Sequence, residues 1–430
     1  MMTPVAEASP PTPLPDAVRL RIFAYLGVLI LLLGFGAPNG GFIEVPVTFF
    51  LKNRLHLAAH EAALFRLIAA IPLYFAFVFG FVRDTFNPFG MRDRGFLVLF
   101  GAITAVVFAV FAFVPITYVG LVAAVVLSTI AYLFVWSAQN GLSSAIGQQH
   151  MMSGRISALW NIFLYIPVLS AFFLGGVLSQ ALEGQKADMA ARILFLVGAA
   201  LMACVAVYGL WRPTSIYDHV RYERPVGAPR LADLKRLARH WPIYPALAIW
   251  LLWCFAPGSA TALQFYMQNS LHASDAQWGE WNAIFIGGFI PTFFLFGWLC
   301  RRVKLRTILF WSTLVAVPQM VPLAFIHSVP GALWAAALIG LLGGVNSAAY
   351  LDLVIRSSPP GLQGTVMMLY WALFYISQRF GDVLGTDLYD RFGDFKVCVI
   401  AITVVYALMI PILFLVPRRI TDWKDGEAPA

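Results

Sequence analysis

Long apolar stretches alternate with short polar stretches along the whole chain. Twelve apolar stretches reach or approach the ~20 residues that a helix needs to cross the hydrocarbon core of a bilayer. Polar and charged residues gather in the connections between them. The pattern therefore predicts an all-α membrane protein with twelve transmembrane helices. Numbered in chain order as segments 1 to 12, these stretches cover residues 21–50, 62–82, 95–114, 116–138, 156–181, 189–211, 243–267, 277–299, 306–326, 330–354, 363–388 and 395–416.

The composition agrees with a membrane protein. Of the 430 residues, 60% are hydrophobic and 12% are charged, and the mean hydropathy is +0.78. A soluble protein of this length would carry far more charge. The formal net charge is +8, but the basic residues lie in the connections, where they set membrane topology, so we expect no nucleic-acid partner.

The distribution of basic residues predicts the orientation. If the N-terminus is cytoplasmic, 21 of the 29 Lys and Arg residues fall in cytoplasmic connections and tails, and seven fall on the outer side. Basic residues are retained preferentially on the cytoplasmic side. We therefore expect a multi-pass protein of the cell (inner) membrane with both termini in the cytoplasm.

The longest connection and an internal repeat divide the chain in two. The predicted parts are a tail (residues 1–20), an N-terminal six-helix bundle (21–211), a central cytoplasmic loop (212–242), a C-terminal six-helix bundle (243–416) and a second tail (417–430). The pairs Ala37-Pro38 and Ile71-Pro72 recur as Ala256-Pro257 and Ile290-Pro291, separated by 34 residues in both halves. Later, at a constant offset of 210 residues, Gly154, Tyr165 and Gly175 match Gly364, Tyr375 and Gly385. The sequence thus predicts two pseudo-symmetric bundles of six helices.

The connection between segments 2 and 3 carries a group of charged and turn-forming residues. Gly80 permits close helix approach, and Asp84 would lie at a helix C-terminus, where the helix dipole disfavours a carboxylate. Asp84 therefore needs partners, and the nearest candidates are Arg92 and Arg94. The alternative is an ordinary solvated loop whose arginines serve only topology.

These residues resemble the signature loop between helices 2 and 3 of the major facilitator superfamily, in which Gly is followed by Asp four residues later and then by Gly and basic residues. Gly80, Asp84, Gly90, Arg92 and Arg94 supply that pattern. The long gap before Gly90 is similar to the folate–biopterin transporter branch, although a Lys common in segment 2 of that branch is absent here. The resemblance implies two rocking halves, a central substrate site and a gating role for these five residues.

Segment 1 contains polar residues where a continuous apolar helix would be expected. Glycines flank Pro38, so the helix should loosen there and allow Asn39 to face a cavity. Glu44 lies two turns further, at a depth similar to that of Arg66 in segment 2. There are two alternatives for Glu44. It forms a structural pair with Arg66, or it is a substrate-facing carboxylate that carries a coupling proton.

Segment 11 carries the strongest candidates for substrate contact. Trp371, Tyr375, Gln378 and Asp382 share one helical face, and Arg379 flanks it. Arg379 and Asp382 either neutralise each other, or Arg379 binds a carboxylate or phosphate beside an aromatic surface that suits a planar ring. Asp382 is the second candidate for proton coupling.

Weaker candidates lie in other segments. Gln264 in segment 7 is included among the substrate-binding residues, and Asp352 with Arg356 suggests a gate or an end-cap pair. The connection after segment 8 is basic but lacks the Asp of the motif. This indicates that its basic residues serve only to set membrane topology. The remaining polar candidates are Gln139, Asn140, Glu280, Asn282 and Asn346.

Several classes of protein lack support. The sequence contains no G-x-x-x-x-G-K-[ST], H-E-x-x-H or C-x-x-C motif, so we expect no ATP-driven pump, no metal, no cofactor and no enzyme. The four cysteines have no metal-type spacing and are interpreted as small buried residues: Cys204, Cys254, Cys300 and Cys398.

We therefore expect a monomeric secondary active transporter whose partners are the bilayer and a small anionic or ring-bearing solute, with proton coupling as the simplest energy source. The alternatives are an assembly factor for pigment complexes with the same fold, a permease for cell-wall fragments or acetyl-CoA, and, third, a membrane enzyme.

Overall fold

Helices form almost all of the chain that the computed structural model describes, which comprises residues 14–39, 43, 47, 50–51, 55, 59–114, 117–183, 187–220 and 230–427. These residues include no β-strand. The twelve principal helices are numbered in chain order. They are α1 (Asp16–Phe35), α2 (Ala59–Tyr74 and Ala76–Thr85), α3 (Asp93–Phe111), α4 (Tyr118–Gln149), α5 (Ser153–Glu183), α6 (Ala187–Leu210), α7 (Ile243–Cys254 and Thr261–Phe265), α8 (Asp275–Leu299), α9 (Leu305–Ala316), α10 (Val329–Ser357), α11 (Gln363–Phe392) and α12 (Lys396–Ala407 and Met409–Leu413).

Shorter pieces complete the helical inventory of the described residues. A 3-10 turn (Pro88–Gly90) precedes α3, a π-helical turn (Tyr266–Ser270) ends α7, and a 3-10 turn (Val321–Phe325) follows α9. Three short helices lie in the connection between the halves and after α12: Thr214–Tyr217, Arg230–Arg239 and Arg418–Thr421.

Ten helices are long and apolar enough to cross a membrane, among the residues that the structure describes. The two principal helices outside that set are α7, which is broken after Cys254, and α11, which carries several charged residues. Each half therefore contains six helices, and the predicted all-α fold with two pseudo-symmetric bundles is confirmed. Both of these helices line the central cavity of the protein.

Helix ends differ from the predicted ones for physical reasons. Segment 1 was predicted to continue to residue 50, but α1 ends at Phe35, one residue before Gly36 and three before Pro38. Segment 4 was predicted to end at residue 138, but α4 continues to Gln149. Its last turns carry small polar residues that are buried, such as Ser143 and Ser144, so hydropathy alone placed the end too early.

Both ends of the described chain lie on the same side of the molecule. Leu14 and Glu427 line one pocket of about 310 Å³, together with Met152 in the connection between α4 and α5. An even number of crossings requires this arrangement. We call this the terminal side and the opposite one the far side; α2 and α4 begin at the far side.

The two halves pack through five helices in particular. α2 and α4 of the first half contact α11 of the second, and α5 contacts α8. One prediction on packing was wrong: Cys204 on α6 is exposed rather than buried, whereas the other three cysteines are buried. α6 packs mainly on α3, and its Cys204 face is directed away from the protein core.

Candidate functional site

A cavity of about 650 Å³ lies between the two halves, and we call it the central chamber. Its volume falls within the range of pockets that hold small organic ligands. Seven of the thirteen tryptophans of the chain contribute to its wall. The aromatic lining consists of Tyr132, Trp136, Trp160, Tyr165, Trp250, Trp253, Trp278, Trp281, Phe285, Phe289, Tyr370, Trp371, Phe374, Tyr375 and Tyr406.

The aromatic wall is held by ring contacts across the two halves. The Trp371 ring of α11 packs between Trp136 and Trp160 of the first half, with centroid distances of 4.7 Å and 5.0 Å. Trp250 of α7 stacks on Tyr370 at 3.9 Å. Offset and tilted aromatic pairs of this kind are stabilising beyond the area they bury, so the walls are preformed.

The internal repeat of the sequence reappears as a matched pair of chamber walls. α5 supplies Asn161, Tyr165 and Val168, and α11 supplies their counterparts 210 residues later, Trp371, Tyr375 and Gln378. The chamber thus lies on the pseudo-symmetry axis that relates the bundles, where transporters built from repeats place their substrates.

A second cavity of about 330 Å³ adjoins the chamber towards the far side, and we call it the vestibule. The two cavities share Pro38, Asn39, Tyr375 and Gln378 in their walls. The predicted face of segment 11 therefore spans both: Trp371 lines the chamber, Asp382 lines the vestibule, and the residues between them line both.

Two arginines face the vestibule, one from each half of the protein. Arg66 comes from α2 and Arg379 from α11. Both side chains are exposed, and neither has a hydrogen bond or ion pair with another residue that the structure describes. Their guanidinium groups are therefore available to an anion that enters the vestibule.

Asp382 does not neutralise Arg379. Its Oδ1 accepts a hydrogen bond from the backbone N–H of Thr261 at 2.9 Å, and its Oδ2 accepts one from the Thr261 hydroxyl at 2.8 Å. Asp382 therefore caps the second piece of α7, where a carboxylate satisfies an unpaired backbone donor. The alternative of a self-neutralising Arg379–Asp382 pair is wrong, because this cap holds the carboxylate.

The other predicted binding residues fall into three groups. Asn39 lines both cavities and donates to the Thr129 hydroxyl at 3.0 Å. Gln264 lines neither cavity, as far as the described residues form their walls, because its neighbours Ala260 and Leu263 occupy the cavity side. Glu44 lies outside the described residues, so its proposed pairing with Arg66 and its proton-coupling role stay predictions.

The weaker polar candidates mostly serve packing. Gln139 and Asn140 are buried and bond within α4, and Glu280 is exposed. Asn282 lines the chamber and donates to the Trp278 carbonyl at 2.8 Å. In the described part of the chain, no group of three or more His, Cys, Asp or Glu side chains could hold a metal ion.

Two residues of the predicted gating motif, Gly80 and Asp84, contact the other half at the terminal side. Asp84, at the end of α2, accepts hydrogen bonds from the backbone N–H of Gly364 (3.1 Å) and of Thr365 (2.7 Å), and from the Thr365 hydroxyl (2.7 Å). It thereby caps α11, in the other half. A Cβ at Gly80 would lie 2.3 Å from the Gly364 carbonyl oxygen, so only glycine permits this approach.

Asp84 has a partner that the sequence did not indicate, its neighbour Arg83. Arg83 pairs with Asp84 (Nη1–Oδ1, 2.8 Å) and with Asp93 (Nε–Oδ1, 2.5 Å). Arg94 instead donates to the carbonyls of Gly209 and Leu210 at the end of α6. Arg92 donates its backbone N–H to Asn87 Oδ1 at 2.6 Å. Gly90 lies in the turn with a φ of +70°.

Further contacts between the halves seal the terminal side. Gln148 of α4 donates to the carbonyls of Ile355 (2.6 Å) and Ser358 (2.7 Å). The predicted Asp352–Arg356 pair is buried and bidentate, at 2.8 Å and 3.1 Å, and Arg356 also donates to Ser153 Oγ at 3.1 Å. The chamber is therefore closed on this side by polar contacts between the two bundles.

Sequence reasoning identified Trp371 and Tyr375 but missed the rest of the aromatic wall, the Thr261 cap and the role of Arg83. Aromatic residues are common in membrane-length helices, so only their convergence in space distinguishes the chamber. The break in α7 had a signal, because Pro257 repeats the position of Pro38.

Comparison with known proteins gives one consistent fold. Residues 150–381 match the family model described as Major Facilitator Superfamily. No curated protein matches the sequence significantly.

Three solved structures resemble this chain over nearly their full lengths. The transporter FucP in the outward conformation has a TM-score of 0.72 at 14% identity, covering 93% of this chain and 99% of FucP. The proton:xylose symporter XylE has a TM-score of 0.71 at 11% identity, covering 96% and 98%. The human organic anion transporter MFSD10 has a TM-score of 0.60 at 16% identity, covering 93% and 100%.

Proposed function

The chain belongs to the Major Facilitator Superfamily, and from that premise we propose that it moves a small organic anion with a planar ring across the membrane by alternating access. The halves that rock are the predicted bundles, residues 21–211 and 243–416, and the working unit is a monomer. The substrate occupies the central chamber and the vestibule.

The observation that carries this proposal is the pair of arginines in the vestibule. A cationic side chain costs about 2.5–3.5 kcal/mol to insert at the centre of a membrane, and Arg379 has no acidic partner among the described residues. An anionic substrate would supply the missing counter-charge. A guanidinium group binds a carboxylate or phosphate through two parallel hydrogen bonds, and Tyr375 and Trp371 offer adjacent ring surfaces.

The conformation fits one state of an alternating-access cycle. The terminal side is sealed by Asp84 and Gln148, while the vestibule lies towards the far side. We place the terminal side in the cytoplasm of the cell (inner) membrane, because most Lys and Arg residues lie in its connections. The state is then outward-facing, as in the similar FucP structure.

Substrate type and energy source are the finer parts of the proposal. Pterin-like anions, which the folate–biopterin resemblance suggests, fit a basic vestibule beside an aromatic chamber. Neutral sugars are the competing class, because XylE is a proton:xylose symporter, whereas MFSD10 is an organic anion transporter. Proton coupling would use Glu44 or Asp382. Polar groups in the chamber favour transport over a role in complex assembly.

A thermal-shift experiment with matched ligands tests the proposal. Purified protein is heated with 4-aminobenzoate, its uncharged analogue 4-aminobenzamide, folate, fucose and xylose. We expect the two carboxylates to raise the melting temperature and the uncharged compounds to leave it unchanged. Arg379→Lys keeps the charge but loses the planar fork, and it should weaken carboxylate binding roughly tenfold.

The control is Arg391→Gln, which changes an exposed arginine of the same helix that pairs with Asp387 on the surface. This variant should bind as the wild type does. If the sugars raise the melting temperature and the carboxylates do not, the substrate is a neutral sugar and the proposed organic anion is wrong. If Arg379→Lys and Arg391→Gln bind the carboxylates equally well, Arg379 is not part of the binding site.

A further inference from the structure

The chain that follows α12 folds back across the terminal side. We call residues Arg418–Glu427 the C-terminal strap. Within it, Asp425 contacts both halves of the protein. Its backbone N–H donates to the Cys300 carbonyl of the second half at 2.9 Å. Its carboxylate accepts from the backbone N–H of Gly154 at 2.9 Å and pairs with Arg155 Nε at 2.5 Å, both in the first half.

The strap is anchored in the second half by Arg356. This guanidinium lies 3.8 Å from the centre of the Trp423 ring and donates to the Trp423 carbonyl at 3.0 Å. The next residue after Asp425 adds a contact to the first half, because the Gly426 N–H donates to the Met151 carbonyl at 2.6 Å. The Asp425 side chain is completely buried. The strap therefore spans the interface that must separate if the terminal side is to open.

Asp425 repeats the geometry of Asp84 in the opposite direction. Asp84 of the first half caps α11 at Gly364, and Asp425 of the strap caps α5 at Gly154. Gly154 and Gly364 are equivalent positions of the internal repeat, 210 residues apart. Both helices thus receive a carboxylate from the other half at the same position.

The loop that should supply the second carboxylate lacks one. Pro38 and Pro72 match Pro257 and Pro291, 219 residues later in each case. The same offset places Val303 at the position that corresponds to Asp84. The connection between α8 and α9 is therefore basic without an acidic residue, and the strap delivers Asp425 to the site from elsewhere in the chain.

We propose that Asp425 is a second latch of the terminal side, which replaces the missing motif carboxylate and must leave Gly154 and Arg155 before that side can open. This inference rests on alternating access as the mode of transport. Charge-assisted hydrogen bonds that a buried carboxylate accepts are stronger than neutral ones, so the loss of these bonds favours the open conformation. The strap is thereby a gating element of the cycle.

Distance measurements between nitroxide labels on the full chain test this proposal. Labels at Thr214, in the connection that follows α6 of the first half, and at Lys304, in the second half, report the opening, because both residues are exposed on the terminal side. The exposed Cys204 is first replaced by serine so that it takes no label. Wild-type protein should give one short distance. Asp425→Ala should raise the ratio of open to closed molecules roughly tenfold, and Asp425→Asn should raise it less.

Two further variants make the outcome decisive. Asp422→Ala changes an exposed carboxylate of the same strap and should match the wild type, whereas Asp84→Ala should open the terminal side through the first latch. If Asp84→Ala opens it and both Asp425 variants do not, the strap is passive. If Asp425→Ala fails to fold, an unchanged distance in Asp425→Asn overturns the proposal. If no variant opens the terminal side, the proposed alternating-access mode of transport is contradicted.

Discussion

At the scale of single residues, the contact between α2 and α11 depends on an absent side chain. Gly80 lets α2 approach α11 so closely that a Cβ would lie 2.3 Å from the Gly364 carbonyl oxygen. Gly80→Ala should therefore force the two helices apart and destabilise the closed terminal side by about 1–3 kcal/mol. Initial transport rates in vesicles should fall, with little change in the amount of protein in the membrane.

The matched control is Gly287→Ala in α8, where an added Cβ would meet no atom within 4 Å. Alanine is a better helix former than glycine, so this variant should transport normally. Equal transport by the two variants would show that the contact between Gly80 and Gly364 does not limit the cycle.

Single residues also show where sequence reasoning stops. Gly80 and Asp84 were identified from their spacing, because close approach and a capping carboxylate are local requirements. The pairing of Arg83 with Asp84 was not, since adjacent residues on a helix do not normally face each other. Arg83 reaches its partners by packing its guanidinium against Gly141 of α4, a contact between segments that no local pattern indicates.

At the scale of helices, the broken α7 is stabilised by α11. Asp382 caps the piece that begins at Thr261 through two hydrogen bonds. Asp382→Ala should lower the free energy of unfolding by about 0.5–2 kcal/mol, the usual cost of losing a helix cap, and should lower the melting temperature. Asp382→Asn retains an acceptor for the Thr261 N–H and should lose less.

Asp387→Ala is the control for this helix, because Asp387 belongs to an exposed pair with Arg391 and exposed pairs contribute little stability. Its melting temperature should stay close to that of the wild type. If Asp382→Ala and Asp387→Ala melt alike, the cap does not stabilise α7, and Asp382 would be free for substrate or protons.

The helix pattern also explains which boundaries were predictable. Segment 1 was expected to loosen at Pro38, and α1 ends shortly before it. Segment 7 was predicted as continuous over residues 243–267, although Pro257 repeats Pro38 and the helix breaks after Cys254. Hydropathy cannot locate such a break, because the residues around Pro257 are nearly as apolar as the helix itself.

At the scale of the whole molecule, the two-bundle architecture could be predicted from the sequence, whereas the central chamber could not. Twelve apolar stretches and a repeat fix the number and pairing of the helices, because a membrane leaves few alternatives for an apolar chain. The chamber forms where aromatic residues from both halves converge, and the strap contact joins residues about 270 positions apart. Such pairings depend on tertiary packing, which a single sequence does not encode locally.

The two proposed latches predict how the molecule responds when both are weakened. Asp84 joins α2 to α11, and Asp425 joins the strap and Cys300 to α5, through different partners. Effects of substitutions without shared partners usually add as free energies. Asp84→Asn with Asp425→Asn should therefore change the ratio of open to closed molecules by the product of the two single effects.

Nitroxide distances at Thr214 and Lys304 measure that ratio for the two single variants and the double variant. The variant that opens the terminal side most should transport least. If the terminal side no longer closes, substrate can pass through it while the far side is also open, and alternating access is lost. The membrane should contain similar amounts of all three proteins. If the double variant opens no further than the more open single variant, the two carboxylates act as one cooperative latch, and the strap follows the movement of the bundles instead of opposing it independently.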